Sequence, residues 1–170
     1  MADAPKTNAA RLLEARGVAH RVRVYDAEGA FHSADEAAGL LGVPGASVLK
    51  TLVVLRDTPG RAKPLLVLVP SDRELDLKRL ARAVGEKRLR MASQREAEQL
   101  TGLKVGGISA LAVRSGAFEV LVDASAASWE RVHVSAGVRG VDLELAARDL
   151  LTVTGGRLVE MSGREGLLDM

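Results

Sequence analysis

Apolar residues fall in short runs whose spacing switches repeatedly between two and about 3.6, the pattern of strands interleaved with helices. Ala9 to Arg16 reads as a short helix capped by Thr7 or Asn8 and stopped at Gly17. His20 to Tyr25 alternates, with Val22 and Val24 on one face and Arg21 and Arg23 on the other, predicting a half-buried strand. Gly29 to His32 reads as a loop. Ser33-Ala34-Asp35-Glu36 has the form of a capping box, opening a helix through Leu41 that ends at Gly42-Val43-Pro44. Ser47 to Leu55 and Leu65 to Val69 are apolar strand-forming runs, separated by the turn Asp57-Thr58-Pro59-Gly60 and closed by Pro70; they are expected to form a hairpin.

In the second half, Asp76 caps a helix whose Leu77, Leu80, Ala81 and Val84 recur at helical spacing before Gly85. Ser93-Gln94-Arg95-Glu96 is a second capping box, opening a helix to about Leu100. A glycine-rich turn then leads into a predicted strand, Ile108 to Val113. Strands Phe118 to Asp123 and Arg131 to Ser135 flank a segment around Trp129. Ala136 to Gly140 is a turn, Leu143 to Leu150 a helix on Leu143, Ala146, Ala147 and Leu150, and Gly156 to Met161 an edge strand. Residues 162–170 are expected to be a disordered tail. With no internal repeat or linker, residues 1–161 are expected to fold as one α+β domain, a mixed curved β-sheet surrounded by helices.

Lys50 breaks the pattern, because it is the one charge inside the apolar run Ser47 to Leu55. Val48, Leu52 and Val54 share its face, while Leu49, Thr51, Val53 and Leu55 form the other. A buried lysine costs several kcal/mol unless it is paired or bound to a ligand. Either the ammonium snorkels to an edge while its stem packs on the sheet, or it serves a site.

Composition narrows the chemistry. The absence of cysteine excludes a disulfide scaffold, thiolate metal sites and a cysteine nucleophile, and fits a reducing cytoplasm. No apolar run approaches the roughly 20 residues that span a bilayer, and the first residues lack the apolar core of a signal peptide, so no membrane role is expected. Four aromatic residues are too few for a surface that stacks many bases. The net charge of +2 is uneven: Arg73 to Arg95 holds eight basic residues against three acidic ones, either a face for a polyanion or a solvated helix face. His20, His32 and His133 lack metal-ligand spacing, so neither metal nor cofactor is expected, and His133 reads as a structural strand histidine. Gly106-Gly107 lacks the tail of a phosphate-binding loop; it is a plain turn or a pair of exposed N–H groups able to hold a carbonyl oxygen or oxyanion.

Taken together, VLKTL (48–52), LDLKRLARAVG (75–85), VGGIS (105–109) and VSAGVRGVDLELAARDL (134–150) resemble the YbaK/EbsC family of aminoacyl-tRNA deacylases, free-standing relatives of the editing domain of bacterial prolyl-tRNA synthetase. The likeness runs over roughly residues 8 to 155, and the last two segments are most similar to the Cys-tRNA(Pro) deacylase branch. It implies a pocket in which Lys50, Gly106, Gly107 and Asp142 are catalytic and Ile108, Ser109 and Ser135 bind substrate. It implies mischarged tRNA as a partner, held by Lys78, Arg79 and Arg82, and prolyl-tRNA synthetase as another. Its chemistry would be cleavage of the aminoacyl ester, assisted by the substrate's own thiol if the amino acid is cysteine. A water-mediated deacylase of Ala-tRNA(Pro) and a non-catalytic tRNA-binding accessory protein are the alternatives. In one departure, Ala110 stands where the family's turn has a proline, so the loop is less preset.

Overall fold

The computed structural model describes residues 6–25, 34–57 and 62–164, apart from the side chain of Arg164. Helix α1 (Asn8–Ala15) starts where the Thr7 hydroxyl accepts the Ala10 N–H at 3.1 Å, and it buries Ala9, Ala10 and Leu13. Strand β1 (His20–Val24) and helix α2 (Ala34–Leu41) follow. The expected loop Gly29 to His32 and the Ser33 cap lie outside the described residues. Strands β2 (Leu49–Arg56) and β3 (Leu65–Pro70) pair antiparallel from Leu49↔Pro70 to Val54↔Leu65, as the two apolar runs predict. Residues 58–60 of the turn between them also lie outside the described residues.

Strand β4 (Arg73–Leu75) leads to α3 (Leu77–Val84), where the Asp76 carboxylate accepts the Arg79 N–H and Gly85 closes the helix at φ 73°. Strand β5 (Leu89–Met91) precedes α4 (Gln94–Thr101), whose Ser93–Glu96 capping box makes both of its bonds. Then come β6 (Glu119–Asp123), β7 (Arg131–Ser135), β8 (Val141–Ala146), α5 (Ala147–Thr154), β9 (Arg157–Val159) and β10 (Ser162–Arg164).

A five-stranded mixed sheet, ordered β5-β2-β3-β6-β9, carries the fold; β2 runs antiparallel to β3 and β5, whereas β3, β6 and β9 run parallel. A second, antiparallel sheet is ordered β1-β8-β7, and a Val48–His133 bridge joins it to the first. Between the two sheets lies the larger core, built on Leu49, Val53, Leu66, Leu68, Val134 and Leu143 and flanked by α1 and α5. The opposite face of the five-stranded sheet packs Val54, Val67, Leu121 and Val159 against Leu80 of α3.

Four expectations change. Residues 108–113 form turns rather than a strand: the Ser109 hydroxyl accepts the Leu111 N–H and the Ser109 carbonyl accepts the Ala112 N–H, so local bonds take the place of a sheet ladder. Val141 to Ala146 is a strand and the helix begins at Ala147; Leu143 and Leu145 satisfy period two as well as helical spacing, and pairing with β1 and β7 decides between them. On β1, Val24 is exposed and Arg23 turns inward to Glu144. Residues 162–164, expected to belong to the tail, form β10, which pairs antiparallel with β4.

Candidate active site

A cavity of about 410 Å³ opens between β2, the start of α4, the 105–108 turn and the β7–β8 pair. Its wall includes Lys50, Gly106, Ile108, Ser135 and Asp142, bringing together five predicted site residues from three distant parts of the chain. Apolar side chains, among them Leu49, Val53, Ala97 and Ile108, supply much of the rest.

Every residue from Val48 to Val53 borders this cavity because β5 reaches only Val54–Arg56 and leaves the stretch before it without a β5 partner. Alternation sends Leu49 and Val53 into the larger core and Lys50 toward the face that carries α3. Lys50 is therefore not stranded in apolar surroundings, as its sequence neighbours suggest. Its side chain is 23% exposed, and Nζ lies 3.8 Å from the Glu74 carboxylate, itself 72% exposed. The neighbouring Thr51 Oγ1 is buried with no hydrogen-bond partner among the described residues, an arrangement that leaves a polar group for a ligand or water to satisfy.

Strand pairing builds the opposite wall. Ser135 on β7 sits opposite Asp142 on β8, and Asp142 is in turn opposite Arg23 on β1. Arg23 does not pair with it: Nη1 bonds Glu144 Oε2 at 3.1 Å and Nη2 bonds the Leu41 carbonyl at 3.2 Å. Asp142 is thus 5% exposed without a cation partner among the described residues, and burial pushes its carboxyl up to about 6. Burial, with the Asp142 charge second, also raises the Tyr25 phenol. His133 is buried two pairs further along, 3.5 Å from Glu144; desolvation lowers its pKa against the pull of that carboxylate, consistent with a structural role.

Two predicted residues take different places. The Gly107 N–H is consumed by the Lys104 carbonyl at 2.8 Å, closing a β-turn whose third residue, Gly106, has φ 95°, a conformation that favours glycine. A methyl group on Gly107 would lie 3.1 Å from the Val138 backbone, so this glycine lets the turn dock against the 136–140 loop. Arg139 secures the same contact through the Val105 carbonyl at 2.9 Å. Gly106, not Gly107, borders the cavity. Ser109 is fully buried and absent from the wall, its hydroxyl used within the 109–112 turn. Ala110 occupies the second position of that turn, where proline fits best, and lines a separate hollow beside α1 and α5.

Tyr25, Thr51, Ser93 and Gln94 also line the cavity and were not singled out by sequence reasoning. Thr51 had a signal, a polar residue beside Lys50 in an apolar strand; the others reach the cavity only through tertiary packing. Lys78, Arg79 and Arg82 are exposed on α3, as the helical spacing predicts. Among the described residues, no group of three His, Asp or Glu is placed to hold a metal ion, and no helix is long and apolar enough to cross a membrane.

The family model for the aminoacyl-tRNA editing domain matches residues 28–153. A candidate Cys-tRNA(Pro)/Cys-tRNA(Cys) deacylase, EbsC of Enterococcus faecalis, is 32% identical over 94% of this chain and 95% of its own length. A proline–tRNA ligase of Anaeromyxobacter sp. is 35% identical over 70% of this chain, which spans 20% of that larger enzyme. The crystal structure of a candidate trans-editing enzyme for prolyl-tRNA synthetase superposes with a TM-score of 0.78 at 26% identity, over 95% of this chain and 99% of that one. Shared sequence along nearly the whole chain and a shared fold place the chain in the aminoacyl-tRNA editing domain family, in its YbaK/EbsC group.

Proposed function

We propose that this protein is a free-standing deacylase that clears mischarged tRNA(Pro), with Cys-tRNA(Pro) as its principal substrate. The observation that carries the reading is the meeting of Lys50, Gly106, Ser135 and Asp142 around one cavity of a size suited to an aminoacyl group. The aminoacyl ester is already activated, so the site contributes mainly by positioning. The Gly106 N–H faces the ester carbonyl as negative charge develops on its oxygen. Lys50, at the cavity rim, stabilises the ribose alkoxide or anchors the terminal phosphate. Asp142 as carboxylate receives the substrate α-ammonium, with Ser135 hydrogen-bonding the same region. Tyr25 and Thr51 offer hydroxyls to the same ligand.

In keeping with the likeness to Cys-tRNA deacylases, the substrate sulfur is the nucleophile, the chain having no cysteine of its own. It attacks its own carbonyl carbon, the new S–C bond closes a thiolactone, the C–O bond to ribose breaks, and the thiol proton passes to the ribose oxygen. Editing of this kind serves a synthetase whose pocket cannot reject an amino acid of similar size, which makes prolyl-tRNA synthetase the partner and the cytoplasm the place of action. The test is deacylation of tRNA(Pro) charged with cysteine, alanine or proline by the purified native protein. Loss of the cysteinyl ester with the prolyl ester spared is the expected result. Sparing of all three esters would refute the reading.

A further inference from the structure

A second concavity, of about 530 Å³, lies away from the cavity, between α3 and β9. Three arginines line it: Arg79 and Arg82 from α3, and Arg157 from the edge strand. Sheet register fixes its relation to the active site. Leu52, Val67, Leu121 and Arg157 form one row across the five-stranded sheet, and two residues along on the same face Lys50 pairs with Val69 and Asp123 with Val159. Leu121 and Val159 pack in the core beneath α3, so strand alternation puts Arg157 and Lys50 on that same face. Three strand spacings across and two residues along separate them by about 16 Å at Cα.

We propose that this groove seats the phosphodiester backbone of the RNA whose 3′ end enters the cavity, with Arg157 completing a three-arginine site begun by Arg79 and Arg82. The inference rests on the tRNA reading above and adds the place where the stem lies. About 16 Å corresponds to roughly five stacked nucleotides at about 3.4 Å each, which puts the groove at the first base pairs beyond an unpaired CCA end. Arg157 is available for this contact. Its guanidinium, 54% exposed, stands 3.7 Å from Glu119, while Arg56 holds the same carboxylate in a closer bond. Among the described residues, the Arg79 guanidinium makes only a long 3.5 Å contact to the Ser162 carbonyl. Glu160 at the rim opposes anion binding, and three guanidinium groups outweigh it. Guanidinium forks match phosphate oxygens bidentately, which favours a nucleic-acid backbone over a diffuse acidic surface.

The test is binding of uncharged tRNA(Pro) between about 50 and 200 mM salt by the native protein, Arg157→Gln and Arg82→Gln. Each variant should weaken binding severalfold at low salt and flatten the slope of log affinity against log salt by about 0.9, the loss of one phosphate contact. Arg157→Lys, which keeps the charge, should retain most of the slope. A native protein that binds tRNA, with slopes unchanged in both glutamine variants, overturns the groove while leaving deacylation untouched. A native protein that binds no tRNA overturns it as well. Failure of the deacylation assay, by contrast, would count against the proposed activity.

Discussion

Lys50→Ala is expected to lower the single-turnover rate of deacylation by at least about a hundredfold, the scale of removing one preorganised electrostatic contact from a transition state. Thermal stability should barely change. Among the described residues the lysine's one ion pair is a 3.8 Å contact to a largely exposed carboxylate, worth under about 1 kcal/mol. Lys50→Met, which keeps the apolar stem and removes the charge, should be as inactive as the alanine variant, because the account assigns the effect to the ammonium. Wild-type single-turnover rates in both variants would show that Lys50 is a rim residue with no part in the chemistry.

Asp142→Asn should move stability and activity in opposite directions. Burial raises the Asp142 carboxyl from 3.8 to about 6, so the folded state holds its proton more tightly than the unfolded chain does. That preference favours folding fully below about pH 4 and is lost as pH rises to about 6. At pH 7 the ionised carboxylate therefore costs about 3 kcal/mol relative to a normally solvated one. A neutral asparagine escapes this cost, so the variant should be the more stable protein at pH 7, by up to that amount, with the difference fading toward pH 4. It should also lose the anion that receives the substrate ammonium, and native activity should climb with pH through about 6. Denaturant titrations at the two pH values and a pH–rate profile check both halves. An asparagine variant less stable than native at pH 7, or a native rate flat from about pH 5 to 7, would contradict the assignment.

This opposition is why some parts of the molecule can be read in the sequence and others cannot. Elements specified by local chemistry were legible: the Asp76 and Ser93 caps, the Gly85 stop and the β2–β3 hairpin all follow from residues within a few positions of one another. Residues 108–113 were not, because Ile108, Leu111 and Val113 suit a strand, yet the docked Gly107 and the Ser109 turn bind the backbone locally. The Leu143 to Leu150 pattern obeys two periods at once, and only its neighbours β1 and β7 choose between them. Lys50 stood out as the one charge in an apolar strand run, whereas Ser135 and Asp142 were found through family resemblance alone. The perturbation of Asp142 could not be found that way, since it comes from burial between β1 and β7 in the folded chain. Tyr25 and Gln94 carry no motif and join the site through packing.

The account rests most heavily on the substrate supplying its own nucleophile. The direct measurement compares single-turnover loss of the ester from Cys-tRNA(Pro) and Ser-tRNA(Pro), substrates that differ by sulfur against oxygen in an otherwise identical side chain. The account predicts at least roughly a hundredfold faster loss from Cys-tRNA(Pro), with similar binding of the two, because the thiol is much the better nucleophile. Equal rates on the two substrates would contradict it and assign the attack to a bound water.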